Sequence, residues 1–296
     1  MAVTFELPIV DHHAHLRPGE SALLAARNFA KAGGSHLFLA TQNYLARPPR
    51  SLEEYRTQFE TTESIADRVR QETGIEVLAV LAPYPIDLVH MAPETGLAAA
   101  EHLQIDTLEL AAKEVREGRA VALGEVGRAH FPVDPEVKQA LDRVMGTALR
   151  IAHETGCPAV LHTEDLDERG YAEVSEMTRK SGLPPERAIK HYARTVLPSA
   201  QRHGVTPSFL AKRELVREAL REPGPWFFET DFLDDPARPG VALPLETVPR
   251  RVRQLLGSPA LPRGDAVEKL SIPFVEAPRR LYGLELMRRS PLTIEV

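Results

Sequence analysis

Residues 119–127 read RAVALGEVG, residues 135–156 read PEVKQALDRVMGTALRIAHETG, and residues 157–165 read CPAVLHTED. The outer two segments are short apolar runs of strand type. The middle one repeats its apolar positions every three to four residues, the period of a helix with one buried face. A strand, a helix and a second strand in this order form a unit whose two strands run parallel. Each strand closes on a side chain with chemistry: Glu125 after Gly124 in the first, His162 after Leu161 in the second.

The same alternation extends outward in both directions. Upstream, FELPIVD (5–11) reads as a strand and ESALLAARNFAKAGG (20–34) as a helix stopped by Gly33 and Gly34. SHLFLAT (35–41) is a second strand and LEEYRTQFETTESIADRVRQETG (52–74) a helix. IEVLAVLAP (75–83) is a third strand, followed by a long loop and a helix through residues 98–118. Downstream, a helix near YAEVSEMTRKSG (171–182) leads to a sixth strand, AIKHYA (188–193). GVTPSFLA (204–211) is a short seventh, LAKRELVREALR (210–221) is helical, and PWFFETDF (225–232) is the eighth. Eight such alternations predict a closed α/β barrel, the (β/α)8 TIM barrel. The tail beyond Pro236 is proline-rich and then helical around VPRRVRQLLG (248–257) and EAPRRLYGLELM (276–287). It reads as a helical extension bracing the barrel, so residues 1–296 are expected to form a single domain.

Composition agrees with an ordinary globular chain: 296 residues, 43% hydrophobic and 26% charged. A barrel of this kind typically takes about 250 residues. The net charge of −6 gives no global attraction to nucleic acid. One cysteine, Cys157 at the start of the fifth strand, excludes a disulfide framework and suits a reducing cytoplasm. No run reaches the roughly 18 apolar residues of a membrane span, and the first residues lack the pattern of a signal peptide. The 25 prolines cluster in ARPPR, DDPARPG and SPALPRG, which read as stiff loops.

In a barrel, reactive side chains sit where the strands end. The first strand ends in Asp11-His12-His13-Ala14-His15, the fourth in Gly124-Glu125, the fifth in His162-Thr163-Glu164. The sixth carries Lys190-His191, and the eighth ends in Glu229-Thr230-Asp231. All five offer imidazole or carboxylate, the donors that bind first-row divalent metals. Side chains two apart on a strand share a face. His13 and His15 should therefore point together into the mouth, with Asp11 on that face and His12 turned away. Any one of these residues has an ordinary role available, as an interior histidine or a helix cap. Their coincidence on five strand ends favours a metal site.

These motifs resemble the TatD-like branch of the amidohydrolase superfamily. Asp11-x-His13-x-His15, Gly124-Glu125-Val126-Gly127, His162, His191 and Glu229-Thr230-Asp231 match its pattern in order, over about residues 7–235. The resemblance implies a hydrolase with two divalent ions, with zinc, manganese or iron favoured and magnesium admitted. His13, His15 and Asp231 would hold one ion, His162 and His191 the other, and Glu125 would bridge them. Where the family often continues Leu-Asp after its Gly-Glu-x-Gly, this chain has Arg128-Ala129-His130-Phe131, which leaves the substrate open.

Asp231 is expected to act also as catalytic base, with Asp11, Glu164 and Glu229 as candidates to orient the imidazoles. Arg47 and Arg50, with Tyr44, lie on the loop after the second strand, Tyr84 follows the third, and Arg128 and His130 follow Glu125. They are the candidate substrate contacts, and arginine there suits an anionic substrate. Phosphoester hydrolysis is the leading reading, a deoxyribonuclease acting on a strand end among its forms. Hydrolysis of a small amide or lactone on the same metals is the alternative, and a non-catalytic binding barrel the third. Arg250, Arg251 and Arg253, like Arg279-Arg280 and Arg288-Arg289, read as solvated helix faces, or else as a basic surface or a contact between copies of the chain.

Overall fold

A computed structural model of the chain describes residues 2–235, 243–289 and 291–295. Its main sheet has nine segments, all parallel, in the order β10-β2-β3-β4-β5-β6-β7-β8-β9. These are β2 (Val10–His15), β3 (His36–Ala40), β4 (Glu76–Leu81), β5 (Ala122–Gly127), β6 (Ala159–His162), β7 (Ala188–Ala193), β8 (Thr206–Leu210), β9 (Phe227–Glu229) and β10 (Phe232–Leu233). The last two are halves of one stave, interrupted by Thr230 and Asp231. One half pairs with β8 and the other with β2, so the sheet curls back on itself and closes with eight staves.

The helices between the strands are α1 (Glu20–Ala32), α2 (Leu52–Thr73), α3 (Pro85–Thr95), α4 (Leu97–Arg116), α5 (Pro135–Thr155), α6 (Glu168–Lys180) and α7 (Arg213–Ala219). Their apolar stripes form the outer core. In α5, Leu141, Val144, Met145, Ala148 and Leu149 are buried against Leu123 and Leu161 of the sheet. Side chains that alternate with these, such as Phe38, Val80, Ala122 and Val160, gather in a separate inner cluster. The alternation comes from the pleat of each strand.

Four expectations are corrected. FELPIVD is not one strand: Ala2–Phe5 (β1) pairs antiparallel with Leu292–Glu295 (β11), and the barrel strand begins only at Val10. The loop foreseen after the third strand is largely helix α3. Pro85 sits in its first turn, where the missing N–H costs nothing, and Ile86, Leu88 and Met91 are buried; Pro93 near its end disguised it. SPALPRG is not wholly loop, because helix α9 (Arg263–Ser271) opens within it. The last predicted helix stops early, at Gly283 in the left-handed region with φ 71°, so Leu284–Met287 are not helical.

The C-terminal segment does brace the barrel. Helix α8 (Thr247–Leu256) and α9 are followed by π-helical turns over Ile272–Glu276 and Pro278–Tyr282. Pro273 and Pro278 have no N–H to give to a regular ladder, which fits the wider turns. Ala277 and Leu281 pack with Ile189 and Phe227, and the Tyr282 hydroxyl meets His12 Nε2 at 2.7 Å. From Pro236 to Gly240 the DDPARPG stretch lies outside the described residues. No helix among the described residues is long and apolar enough to cross a membrane.

Candidate metal centre

The mouth of the barrel gathers six side chains from five staves. His13, His15, Glu125 and Asp231 bring four donor atoms within 4.8 Å of one another, and Glu125, His162 and His191 bring three. Glu125 belongs to both groups. Its Oε1 lies 2.8 Å from His13 Nε2, 3.1 Å from His191 Nε2 and 3.6 Å from His15 Nε2. Its Oε2 lies 3.5 Å from His162 Nδ1. Asp231 Oδ1 is 3.8 Å from His13 Nε2 and 3.7 Å from His15 Nε2. All six residues named for this site by sequence are thus brought together.

Local structure explains how. Strict alternation would set Asp11 with His13 and His15 and turn His12 away. The pairing of β2 with β3 instead shifts register between Asp11 and Ala14. His12 consequently reaches across the interior to β8, which is not a neighbour of β2. It stacks on Phe227 and contacts the Ser208 hydroxyl at 3.1 Å through Nδ1. Burial, and then His13 beside it, hold its pKa well below the ordinary value. It is therefore a neutral interior group, turned away from the ligand groups at the mouth as expected, but lying inside the barrel against Ser208, Phe227 and Tyr282.

Asp11 does not orient an imidazole. Its Oδ1 accepts from the backbone N–H groups of Thr230 (3.0 Å) and His13 (3.2 Å), and its Oδ2 accepts from the Thr230 hydroxyl (2.6 Å). Burial raises its pKa to about 7 against the pull of these donors. The clamp fixes the break between β9 and β10, where Asp231 adopts a left-handed conformation at φ 48°. Its N–H donates to His13 O at 2.9 Å. A left-handed residue other than glycine is strained by about 1–3 kcal/mol, least for Asp and Asn, and needs such over-determination. Tyr192, after His191, is the parallel case: φ is 54° and its N–H is held by Glu229 Oε1 at 2.7 Å. Glu229 also lies 3.5 Å from His191 Nδ1, so of the three orienting candidates it is the one placed at a ligand-type imidazole. Glu164 instead stands 3.5 Å from Arg128.

The fourth stave owes its shape to two glycines. A Cβ on Gly124 would come within 2.6 Å of Val160 Cβ. Gly127 has φ +142°, and a Cβ there would run into the carbonyl oxygen of His162. Gly127→Ala is therefore expected to lower stability by about 2 kcal/mol or more, and to weaken metal uptake by pushing His162 aside. Urea unfolding with a parallel metal titration checks this, and an unchanged midpoint with unchanged uptake would contradict it.

The electrostatics suit cation binding. Burial works to raise the pKa of Glu125, but His191, His162, His13 and His15 together hold it well below the usual carboxylate range. Burial keeps His191 well below its ordinary value despite Glu125, so it is neutral with its lone pair free. Burial works to lower His15, and Glu125 and Asp231 outweigh it and raise it. Burial raises Asp231, with His13 and His15 opposing. Paired nitrogens aimed at one spot, His13 Nε2 to His15 Nε2 at 3.2 Å and His162 Nδ1 to His191 Nε2 at 3.0 Å, converge on a carboxylate as a ligand set does.

The substrate candidates fare unevenly. His130 is exposed, and its Nδ1 lies 2.8 Å from His162 Nε2. Tyr84 OH is 3.4 Å from the same nitrogen. Arg47 closes on both oxygens of Glu54, at 2.9 and 2.6 Å, and Arg50 pairs with Glu94, so both tie the loop after β3 to neighbouring helices. The Tyr44 hydroxyl is spent on Thr62 at 2.9 Å. Arg128 is only 6% exposed, its Nε bonded to Asp142 at 2.5 Å and its backbone N–H to His162 O at 2.8 Å. It braces the end of β6 and is not offered to a substrate.

The chain is a hydrolase built on a closed α/β barrel, with imidazoles and carboxylates gathered at its mouth. The family model described as "TatD related DNase" matches residues 10–282, and the chain belongs to that family. The uncharacterized protein MJ1127 of Methanocaldococcus jannaschii is 30% identical over 292 residues, covering 97% of this chain and 99% of that one. Among solved structures, the TatD homolog YjjV of Escherichia coli superposes with a TM-score of 0.61 at 17% identity, over 93% of this chain and 98% of that one. The phosphotriesterase homology protein of Escherichia coli, complexed with phosphate in its active site, gives 0.58 at 13% identity, over 94% and 98%. At these identities the two structures speak for the fold.

Proposed function

We propose that the chain hydrolyses phosphoester bonds with two divalent cations held at the barrel mouth. The observation that carries this reading is the position of Glu125, which belongs to both donor groups: its Oε1 lies against His13 and His191 and its Oε2 faces His162. In this reading His13, His15 and Asp231 hold one cation, His162 and His191 the other, and Glu125 both. The mixed imidazole and carboxylate set suits zinc, manganese or iron better than magnesium. Such ions supply an ionised water nucleophile near neutral pH and draw charge from the scissile group.

The protein's own residues set up the rest. Asp231, facing His13 and His15 at the mouth, would also take the proton of the attacking water. Were His162 Nδ1 to hold a cation, its Nε2–H would donate to His130 Nδ1, 2.8 Å away. That would leave the His130 Nε2–H at the exposed rim, free to donate to a substrate oxygen. The family's name and the phosphate held by the Escherichia coli neighbour support a phosphoester, a DNA strand end included. The free, buried Cys157 is in keeping with a reducing compartment such as the cytoplasm.

The test is a substrate panel on chelator-stripped protein reloaded with manganese or zinc. Bis(p-nitrophenyl) phosphate and end-labelled single-stranded DNA should be cleaved only after reloading. Cleavage confined to a lactone or an N-acetyl amide would replace the phosphoester reading with the carbonyl one. Silence across the panel in fully loaded protein would leave a binding barrel.

A further inference from the structure

A column of polar side chains crosses the barrel interior, the place of bulky apolar layers in this fold. The Tyr282 hydroxyl meets His12 Nε2 at 2.7 Å, and His12 Nδ1 meets the Ser208 hydroxyl at 3.1 Å. Ser208 in turn acts on Glu229: burial and then Asp231 raise the pKa of this carboxyl, and the Ser208 hydroxyl and the Tyr192 N–H pull against them. Glu229 Oε1 lies 3.5 Å from His191 Nδ1, and His191 Nε2 lies 3.1 Å from Glu125 Oε1. His12, Ser208, Glu229 and His191 are all at most 3% exposed. Side chains from β2, β8, β9 and β7 thus join the C-terminal brace to the bridging carboxylate.

The ends of the column set the direction of its protons. Among the described residues His12 is the only hydrogen-bond partner of the Tyr282 hydroxyl. Burial holds that phenol well above its ordinary pKa, so it keeps its proton. A buried O–H left without an acceptor costs about 1–3 kcal/mol. Tyr282 therefore donates to His12 Nε2. Neutral His12 carries one N–H, which then sits on Nδ1 and donates to Ser208. Ser208 keeps its own proton for Glu229. Glu229 Oε2 and His191 Nδ1 are buried and lack a full hydrogen bond. The Ser208 proton serves the first, and a proton on Nδ1, facing Oε1, serves the second. We propose that Tyr282 is a positioning residue for the metal centre: through His12, Ser208 and Glu229 it fixes the Nδ1–H tautomer of His191 and leaves the Nε2 lone pair at Glu125, free for a cation. This role presupposes the reading of His191 as a cation ligand given above. Without the Tyr282 proton, nothing decides which nitrogen of His12 carries the hydrogen. With that hydrogen on Nε2, Ser208 turns its own proton to His12 Nδ1, and Glu229 loses a donor that steadies it.

The test uses Tyr282→Phe, which keeps the ring against Phe38 and Phe227, and Ser208→Ala, which breaks the column at a second point. Long-range ¹H–¹⁵N spectra of metal-free, histidine-labelled protein report the His191 tautomer, its signals assigned by their loss in His191→Gln. Wild type should show the proton on Nδ1, and both variants a mixture of tautomers. In zinc titrations by calorimetry one of the two ions should bind about tenfold more weakly in each variant, and the other with wild-type affinity. The double variant Tyr282→Phe/Ser208→Ala should be no worse than either single one, because a column broken once is already broken. The wild-type tautomer with wild-type affinity for both ions in the single variants would overturn the role. So would losses that add in the double variant, the mark of two separate packing defects. A changed tautomer in the variants, with fewer than two ions taken up by wild type, would uphold the column's hold on His191 and sink the two-cation reading.

Discussion

Glu125→Gln should leave a folded protein that no longer keeps a pair of metal ions and turns over at least about a hundredfold more slowly. Altering a residue that merely supports a metal ligand typically costs 10–100-fold, and this carboxylate touches both donor groups. Oε1 lies 2.8 Å from His13 and 3.1 Å from His191, while Oε2 faces His162. The amide removes the charge and sets an N–H₂ where a lone pair stood, aimed at the imidazoles. The fold itself should survive, because Gln keeps the shape of the Glu side chain and can still hydrogen-bond the imidazoles around it. Metal content by elemental analysis and a thermal melt separate the two effects. A variant that holds two ions and works normally would remove Glu125 from the bridging role.

Asp231→Asn is the complementary case. Asn tolerates the left-handed backbone almost as well as Asp, so φ 48° and the N–H contact to His13 O should persist. The amide oxygen can still face His13 and His15. The proton-accepting oxygen is lost, and general-base contributions of this kind run to about 10²–10⁴-fold. The expected result is therefore a large fall in kcat with most of the metal retained and KM little changed. Near-normal kcat would take the base role from Asp231. Loss of metal in proportion to activity would make it a ligand alone.

Much of this was legible in the chain. Glu125, His162, His191 and Asp231 each follow an apolar run at a strand end, and the barrel delivers strand ends to one mouth whatever its details. The staves themselves were plain wherever a run such as AIKHYA stood between helices. What escaped depends on contacts with no local signature. His12 and Asp11 lie where β2 shifts register, so a period of two does not give their contacts. Helix α3 was hidden by Pro93, because a proline in the last turn looks like loop. The β1–β11 pair joins the two ends of the chain, and the contact of Tyr282 with His12 spans 270 residues. Arg128, read as a substrate contact, became a brace because Asp142, on the next helix, is the partner that geometry supplies.

Metal stoichiometry tests the central claim most directly. Protein purified without chelators, or stripped and then titrated with zinc or manganese under calorimetry, should hold two ions per chain. Glu125→Gln should hold fewer, and the stripped protein should regain both ions before it regains activity. Wild-type protein that carries no divalent metal and takes none up on addition would contradict the account.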